Sequence, residues 1–279
     1  MRWQTLRGRA PRAVTADHRA QARNAVDSMD PNEELQRLRS ELAQAQERIV
    51  ALNAAQEEFL RAVSHDLRAP LRHVTSYGAL VRESLQELPP TPAAEEALGF
   101  LATMDQSARR MARMIDALHA LNRASRAALR PEPQPLCAAL EQARAAVGGA
   151  DTAVDCRFDP RLPTLRADAA LLHDLLVQLL GNAIKFSQRS NPPRITVQPD
   201  AAPPGRVAFT VVDNGAGFDP ARAGQLFGLF QRLHRETEFD GVGGGLALSR
   251  LIVERHGGAI SATAAPGVGC VVRVEWPLD

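Results

Sequence analysis

From Glu33 onward the chain sets apolar residues at steps of three and four: Leu35, Leu38, Leu42, Ala45, Ile49, Leu52, then the polar Gln56, then Phe59 and Val63. That spacing predicts a long helix carrying a coiled-coil seam of about four heptads. Charged and polar residues (Glu34, Arg37, Arg39, Glu41, Glu47, Arg48) fill its other faces. Each seam leucine gains roughly 1.5–3 kcal/mol when buried, so a partner helix is expected. Pro70 removes one backbone donor and predicts a kink rather than an end. The helix should stop near Leu88-Pro89-Pro90-Thr91-Pro92. A second helix is predicted from about residue 93 to 128, with Leu98, Leu101, Met104, Met111, Ile115, Leu118 and Leu121 on one face. Two such helices make a hairpin, and two hairpins make a four-helix bundle. A homodimer is therefore the economical expectation.

Arg130-Pro131-Glu132-Pro133-Gln134-Pro135 reads as a linker, because alternate prolines forbid a continuing helix. Beyond it the period mixes. Residues 154–158, 194–198, 207–212 and 269–276 predict strands, and residues 169–186 and 246–256 predict helices. The expected fold class is α+β: a helical hairpin followed by an α/β sandwich with one helical and one sheet layer. The boundaries expected are a flexible arm over 1–31, a coiled-coil helix over 32–64, a hairpin domain over 59–129, a linker over 130–135, and a second domain over 136–279.

Composition narrows the function classes. A 279-residue chain with 45% hydrophobic and 23% charged residues can form a sizeable core. A formal net charge of +1 gives no basic footprint, which argues against nucleic acid as a partner. Cys137, Cys156 and Cys270 lack metal-ligand spacing and cannot all pair, which suits a reducing cytosol. No run approaches the ~18 consecutive apolar residues of a membrane span. The arginine-rich start lacks the apolar core of a secretory signal. The expectation is a cytoplasmic protein without a membrane span.

Four motifs then follow in order. His65 sits in Phe59-Leu60-Arg61-Ala62-Val63-Ser64-His65-Asp66-Leu67-Arg68-Ala69-Pro70-Leu71-Arg72. Asn182-Ala183-Ile184-Lys185-Phe186-Ser187 lies on the predicted helix 169–186. Asp213-Asn214-Gly215-Ala216-Gly217 closes a hydrophobic strand, and Gly241-Val242-Gly243-Gly244-Gly245-Leu246 opens a helix. Alone, each has a bland reading: a packed histidine, a solvated helix face, a turn after a strand, a loop. Glycine-rich amides at a helix start can also hold an anion. A dinucleotide-binding fold is excluded here, because this segment does not directly follow a strand and too little chain remains.

Together the motifs resemble the core of a sensor histidine kinase of two-component systems. The His65 motif looks most like that of phytochrome-type kinases, and the rest is similar to the ATP-binding domain shared with gyrase and heat-shock chaperones. The resemblance implies phosphoryl transfer from Mg-ATP to His65 and then to an aspartate on a response regulator receiver domain. A neutral imidazole supplies the attacking lone pair. By the resemblance, Asp66 fixes the tautomer and Asn182 binds magnesium; a neutral amide oxygen suits that hard ion. Lys185 and Arg232 would contact phosphates and Asp213 would accept the adenine amine. Gly215, Gly217, Phe230, Gly241, Gly243, Gly245 and Leu246 would line the nucleotide.

Three positions depart from patterns seen in the family. Gln178 stands where a second magnesium-binding asparagine is common, and Gly244 where a bulky aliphatic residue is usual. Ala69 also replaces the threonine or asparagine found in relatives that dephosphorylate their regulator. A non-catalytic ATP-binding dimeric scaffold is the alternative reading, resting on Gln178 and Gly244. A chaperone-like ATPase would leave His65 and the hairpin unexplained. Input is expected from a separate sensory domain or partner.

Overall fold

The computed structural model of the chain describes residues 31–87, 89–148, 154–235 and 238–278. The expected arm over 1–31 lies outside the described residues except for Pro31. Helix α1 spans Pro31–Gln86 and passes through Pro70 without a break in its assignment. The stretch ending at Glu58 and the stretch from Phe59 onward form two separate units. Within the first, Leu35, Leu38, Leu42, Ile49 and Leu52 are all exposed, as an unpartnered seam must be.

In the second unit, helix α2 (Pro92–Arg126) runs back along α1. Thr91 caps it by accepting the Ala94 amide at 3.2 Å, and Pro92 at its first position lacks only an amide with no intrahelical partner. The antiparallel register shows in two cross-links: Arg68 donates to Asp116 at 2.9 Å, and Gly78 gives room for Met104. A Cβ on Gly78 would stand 3.0 Å from the Met104 methyl. Ala108, Ile115 and Ala124 are the buried residues of α2. Tyr77, Leu80, Phe100 and Met111 of the hairpin remain exposed.

The expected linker takes a different form. Glu132–Pro135 is a strand, β1, paired antiparallel with β3 (Thr164–Ala167). Prolines at 133 and 135 remove donors on alternate residues, which an edge strand tolerates. Helix α3 (Leu136–Ala146) follows directly. A five-stranded sheet is then built from β2 (Asp155–Phe158), β4 (Arg194–Asp200), β5 (Arg206–Asp213), β6 (Ala259–Ala265) and β7 (Gly269–Pro277). Its order is β2-β4-β5-β7-β6, parallel only between β2 and β4.

Helices α3, α4 (Ala169–Ser187) and α5 (Gly245–Arg255) make the second layer. Asp168 starts α4, its Oδ1 accepting the amides of Ala170 and Leu171, each at 3.1 Å. Leu172, Leu175, Leu176, Leu179 and Leu180 then meet Ile195, Val197, Phe209, Val211, Val274 and Trp276 in one core. Strand residues of alternate parity supply that face. By length and composition α4 is apolar enough to cross a membrane. Here its leucines are spent on the sandwich core.

The hairpin is fastened to this sandwich through α5. Arg255 donates to the carbonyls of Ala124 and, at 2.7 Å, Ala127, which are end-of-helix acceptors lacking intrahelical partners. Arg123 also reaches Asp174 on α4 at 3.2 Å.

Candidate nucleotide site

A cavity of about 480 Å³ opens where the last turns of α4, the end of β5, the start of α5 and the loop between residues 218 and 245 converge. Asp213, the last residue of β5, is buried. Its Oδ1 accepts the Gly215 amide at 2.8 Å and the Cys270 amide at 3.3 Å. Burial raises the carboxyl above its ordinary range despite those two amides. The neighbouring Cys270 thiol is pushed up to about 12 by burial and then by the Asp213 charge, so it is inert as a nucleophile at neutral pH.

Asn182 and Lys185 follow one another on a single face of α4, as their three-residue spacing requires, and Lys185 donates to Asn182 Oδ1 at 3.3 Å. The ammonium also lies 4.4 Å from the centre of the Phe186 ring. Burial and then the Arg232 charge lower the Lys185 pKa, while Asp240 opposes them. Gln178, one turn earlier, lines the same cavity. Its amide lies against Gly245, where a Cβ would meet Gln178 Oε1 at 2.3 Å. Among the described residues no cluster of three or more His, Cys, Asp or Glu could hold a metal ion. The hard neutral oxygens offered by the α4 face are these two amides.

The loop over the cavity holds itself by backbone bonds. Arg232 donates to the Phe239 carbonyl at 2.6 Å, Arg222 reaches the carbonyls of Arg232 and Leu233, and the Phe230 amide bonds Gly243 at 2.9 Å. Phe186, His234 and Phe239 pack ring against ring, with centroids 4.9–5.3 Å apart.

The cavity brings together Gln178, Asn182, Lys185, Asp213, Gly217, Arg232, Gly241, Gly243, Gly245 and Leu246. Two residues expected there do not line it. Gly215 is turned against the Phe186 carbonyl, which a Cβ would approach to 2.5 Å, so it serves the turn. Phe230 adopts φ 60, and its amide bonds Gly243. His65 and Asp66 follow one another on α1. Asp66 is exposed, and the His65 side chain lies outside the described side chains.

Sequence reasoning passed over five contributors. Phe218, His234 and Phe239 supply aromatic walls, and Arg113 with Ala117 enters the lining from hairpin helix α2. Gly244 explains how α2 comes so close: a Cβ there would stand 2.6 Å from Ala117 Cβ. The departure from a bulky residue at 244 thus has a packing cause.

The architecture is a helical hairpin leading into a two-layer α/β domain, with a glycine-rich loop over a cavity that ends on a buried aspartate. The comparisons agree. The His Kinase A (phospho-acceptor) domain family matches residues 55–126. The histidine kinase-, DNA gyrase B-, and HSP90-like ATPase family matches residues 167–279. The chain carries a sensor histidine kinase core. It is 32% identical to cyanobacterial phytochrome A of Nostoc sp. over 240 residues, 85% of this chain and 30% of that protein. It is 31% identical to the circadian input-output histidine kinase CikA of Synechococcus elongatus over 256 residues, 88% of this chain and 32% of that protein. Full-length ShkA, solved in complex with AMPPNP, matches with TM-score 0.55 and 25% identity over 79% of this chain and 45% of that one. The chain spans about a third of the length of the curated relatives it matches.

Proposed function

We propose that this chain is an ATP-dependent protein-histidine kinase that phosphorylates its own His65 and passes the phosphoryl group to an aspartate of a response regulator. The observation that carries the reading is the buried Asp213 in one cavity with Asn182, Lys185 and the glycine-rich turn, on a chain whose hairpin bears His65-Asp66. Asp213 accepts the adenine amine. Lys185 and Arg232 neutralise phosphate charge. Asn182 and Gln178 would hold a magnesium ion through amide oxygens, which suit that ion without repelling phosphate, and the ion would supply positive charge to the triphosphate. Neutral His65 attacks the γ-phosphorus with one ring nitrogen, and the bond to the β-phosphate oxygen breaks to release ADP. Asp66 holds the proton on the other ring nitrogen and stabilises the charge that develops.

The exposed α1 seam and the apolar hairpin surface support a homodimer, since each such side chain gains roughly 1.5–3 kcal/mol when buried. The scaffold reading rests on Gln178 and Gly244, and Gly244 packs against Ala117 of the hairpin. Gln178 is the other support. It lines the same cavity as Asn182, as a second amide ligand requires. Incubation with magnesium and ATP labelled at the γ-phosphate separates the readings. The kinase reading expects an acid-labile, alkali-stable phosphoprotein that loses its label to a receiver domain. ATP binding without such a label would favour the scaffold.

A further inference from the structure

Helix α2 belongs to the hairpin, yet its Arg113 lines the nucleotide cavity. There Arg113 Nη1 lies 2.5 Å from each carboxylate oxygen of Asp240. Asp240 is the residue before the glycine-rich turn, and its Oδ1 also takes the Gly241 amide at 2.8 Å. Lys185 and Arg232 line the same cavity, and the Lys185 charge acts on Arg232 and on Asp240. Arg113 and Lys185 thus act on one carboxylate that is itself 75% exposed. The other cavity carboxylate, Asp213, is turned to backbone amides. Arginine and lysine side chains lining one cavity, one of them held by an exposed carboxylate, are what a polyphosphate would meet.

Resting on the kinase reading above, we infer that Arg113 is a phosphate-binding residue of the nucleotide site supplied by the hairpin, and that the Asp240 carboxylate holds its guanidinium until nucleotide phosphates displace it. A guanidinium can turn its N–H donors from carboxylate oxygens to phosphate oxygens, and it pairs with either as a fork. The pair being displaced is solvent-exposed on the Asp240 side and is held weakly. Gly241, at φ 131, gives the backbone beside Asp240 a freedom that other residues lack. The consequence is mechanical. Phosphates held by Arg113 are tied to the same hairpin that carries His65, so triphosphate occupancy and hairpin position become one equilibrium.

Calorimetric titration of the full chain with adenosine, ADP and ATP tests this. Arg113→Gln should weaken ATP binding about tenfold or more, the scale of a lost charge-assisted hydrogen bond, and leave adenosine affinity unchanged. Arg113→Lys should fall between. Asp240→Asn should tighten ATP several-fold by removing the competing anion. An Arg113→Gln protein that binds ATP as the parent does, or loses adenosine and ATP equally, overturns the inference. If that variant folds poorly, Asp240→Asn decides alone, and unchanged or weaker ATP binding overturns it. A parent chain that binds no ATP sinks the kinase reading and this inference with it. A parent that binds ATP normally beside an indifferent Arg113→Gln sinks only the inference.

Discussion

Gly244→Ala isolates the contact between the hairpin and the ATPase domain. Gly244 has φ −95 and ψ −26, a conformation open to any L-residue, so the backbone raises no objection. The added methyl would lie 2.6 Å from Ala117 Cβ and 3.8 Å from Ala117 Cα. Carbon atoms settle at about 3.5–4.0 Å, so the interface must open by about 1 Å. Overpacking of this kind costs about 1–3 kcal/mol. At 1.4 kcal/mol per tenfold, docking of α2 on α5 shifts by roughly 5- to 150-fold. Hydrogen exchange of the α2 amides from 113 to 124 reads the change, with denaturant unfolding alongside. Exchange there should speed up while the leucines of α4 stay protected. Ala117→Gly removes the opposing methyl and should restore slow exchange in the double variant, after allowance for the ~1 kcal/mol that glycine costs inside a helix. Gly244→Ala with parental exchange, or a double variant no better than the single, would refute the reasoning.

Other outcomes follow from the same geometry. Gly217→Ala should destabilise the ATPase domain by about 2–5 kcal/mol, because φ 62 disfavours an L-residue and a Cβ would fall 2.0 Å from the Ala265 carbonyl. Gly267→Ala, with φ 73 but open space, should cost only ~1–2 kcal/mol; equal thermal shifts would contradict both assignments. Asp213→Asn keeps an acceptor for Gly215 and Cys270 but alters the buried carboxylate proposed to receive adenine, so ATP affinity should fall about tenfold and the preference for ATP over GTP shrink. His256 accepts the Asp168 amide at 3.1 Å through Nε2, and burial lowers its pKa below 6.5. The unfolded chain then takes up a proton first as pH falls. Stability from this group is complete above about 6.5 and declines below it. His256→Phe, which keeps a ring against Trp276, should flatten the melting profile between about pH 7 and pH 5; an unaltered slope would count against the locked neutral ring.

Periodicity made α1, α2, α4 and the central strands legible because their burial patterns are local. The seam leucines and the α4 leucine ladder needed no partner to be read. Strand β1 was hidden, since Pro133 and Pro135 suggest a linker and only pairing with distant β3 makes them a strand. Strand β6, Ala259 to Ala265, is rich in alanine and owes its conformation to β7. Short motifs named Asn182, Lys185, Asp213 and the glycines. They could not find Arg113, which lies 127 residues from its partner Asp240 and arrives only through docking. Nor could they separate the glycines that line the cavity from Gly215, whose need is a close carbonyl. Gly244 looked like a weakened motif, and against Ala117 it is a fitted contact.

The central claim is that His65 carries the phosphoryl group. After incubation with magnesium and ATP, mass spectrometry under neutral to alkaline conditions should place phosphate on the peptide containing His65. His73, exposed two turns further along α1, should stay unmodified. His65→Gln should remove the label and leave nucleotide affinity intact. Phosphate on His73, or undiminished labelling of His65→Gln, would contradict the account.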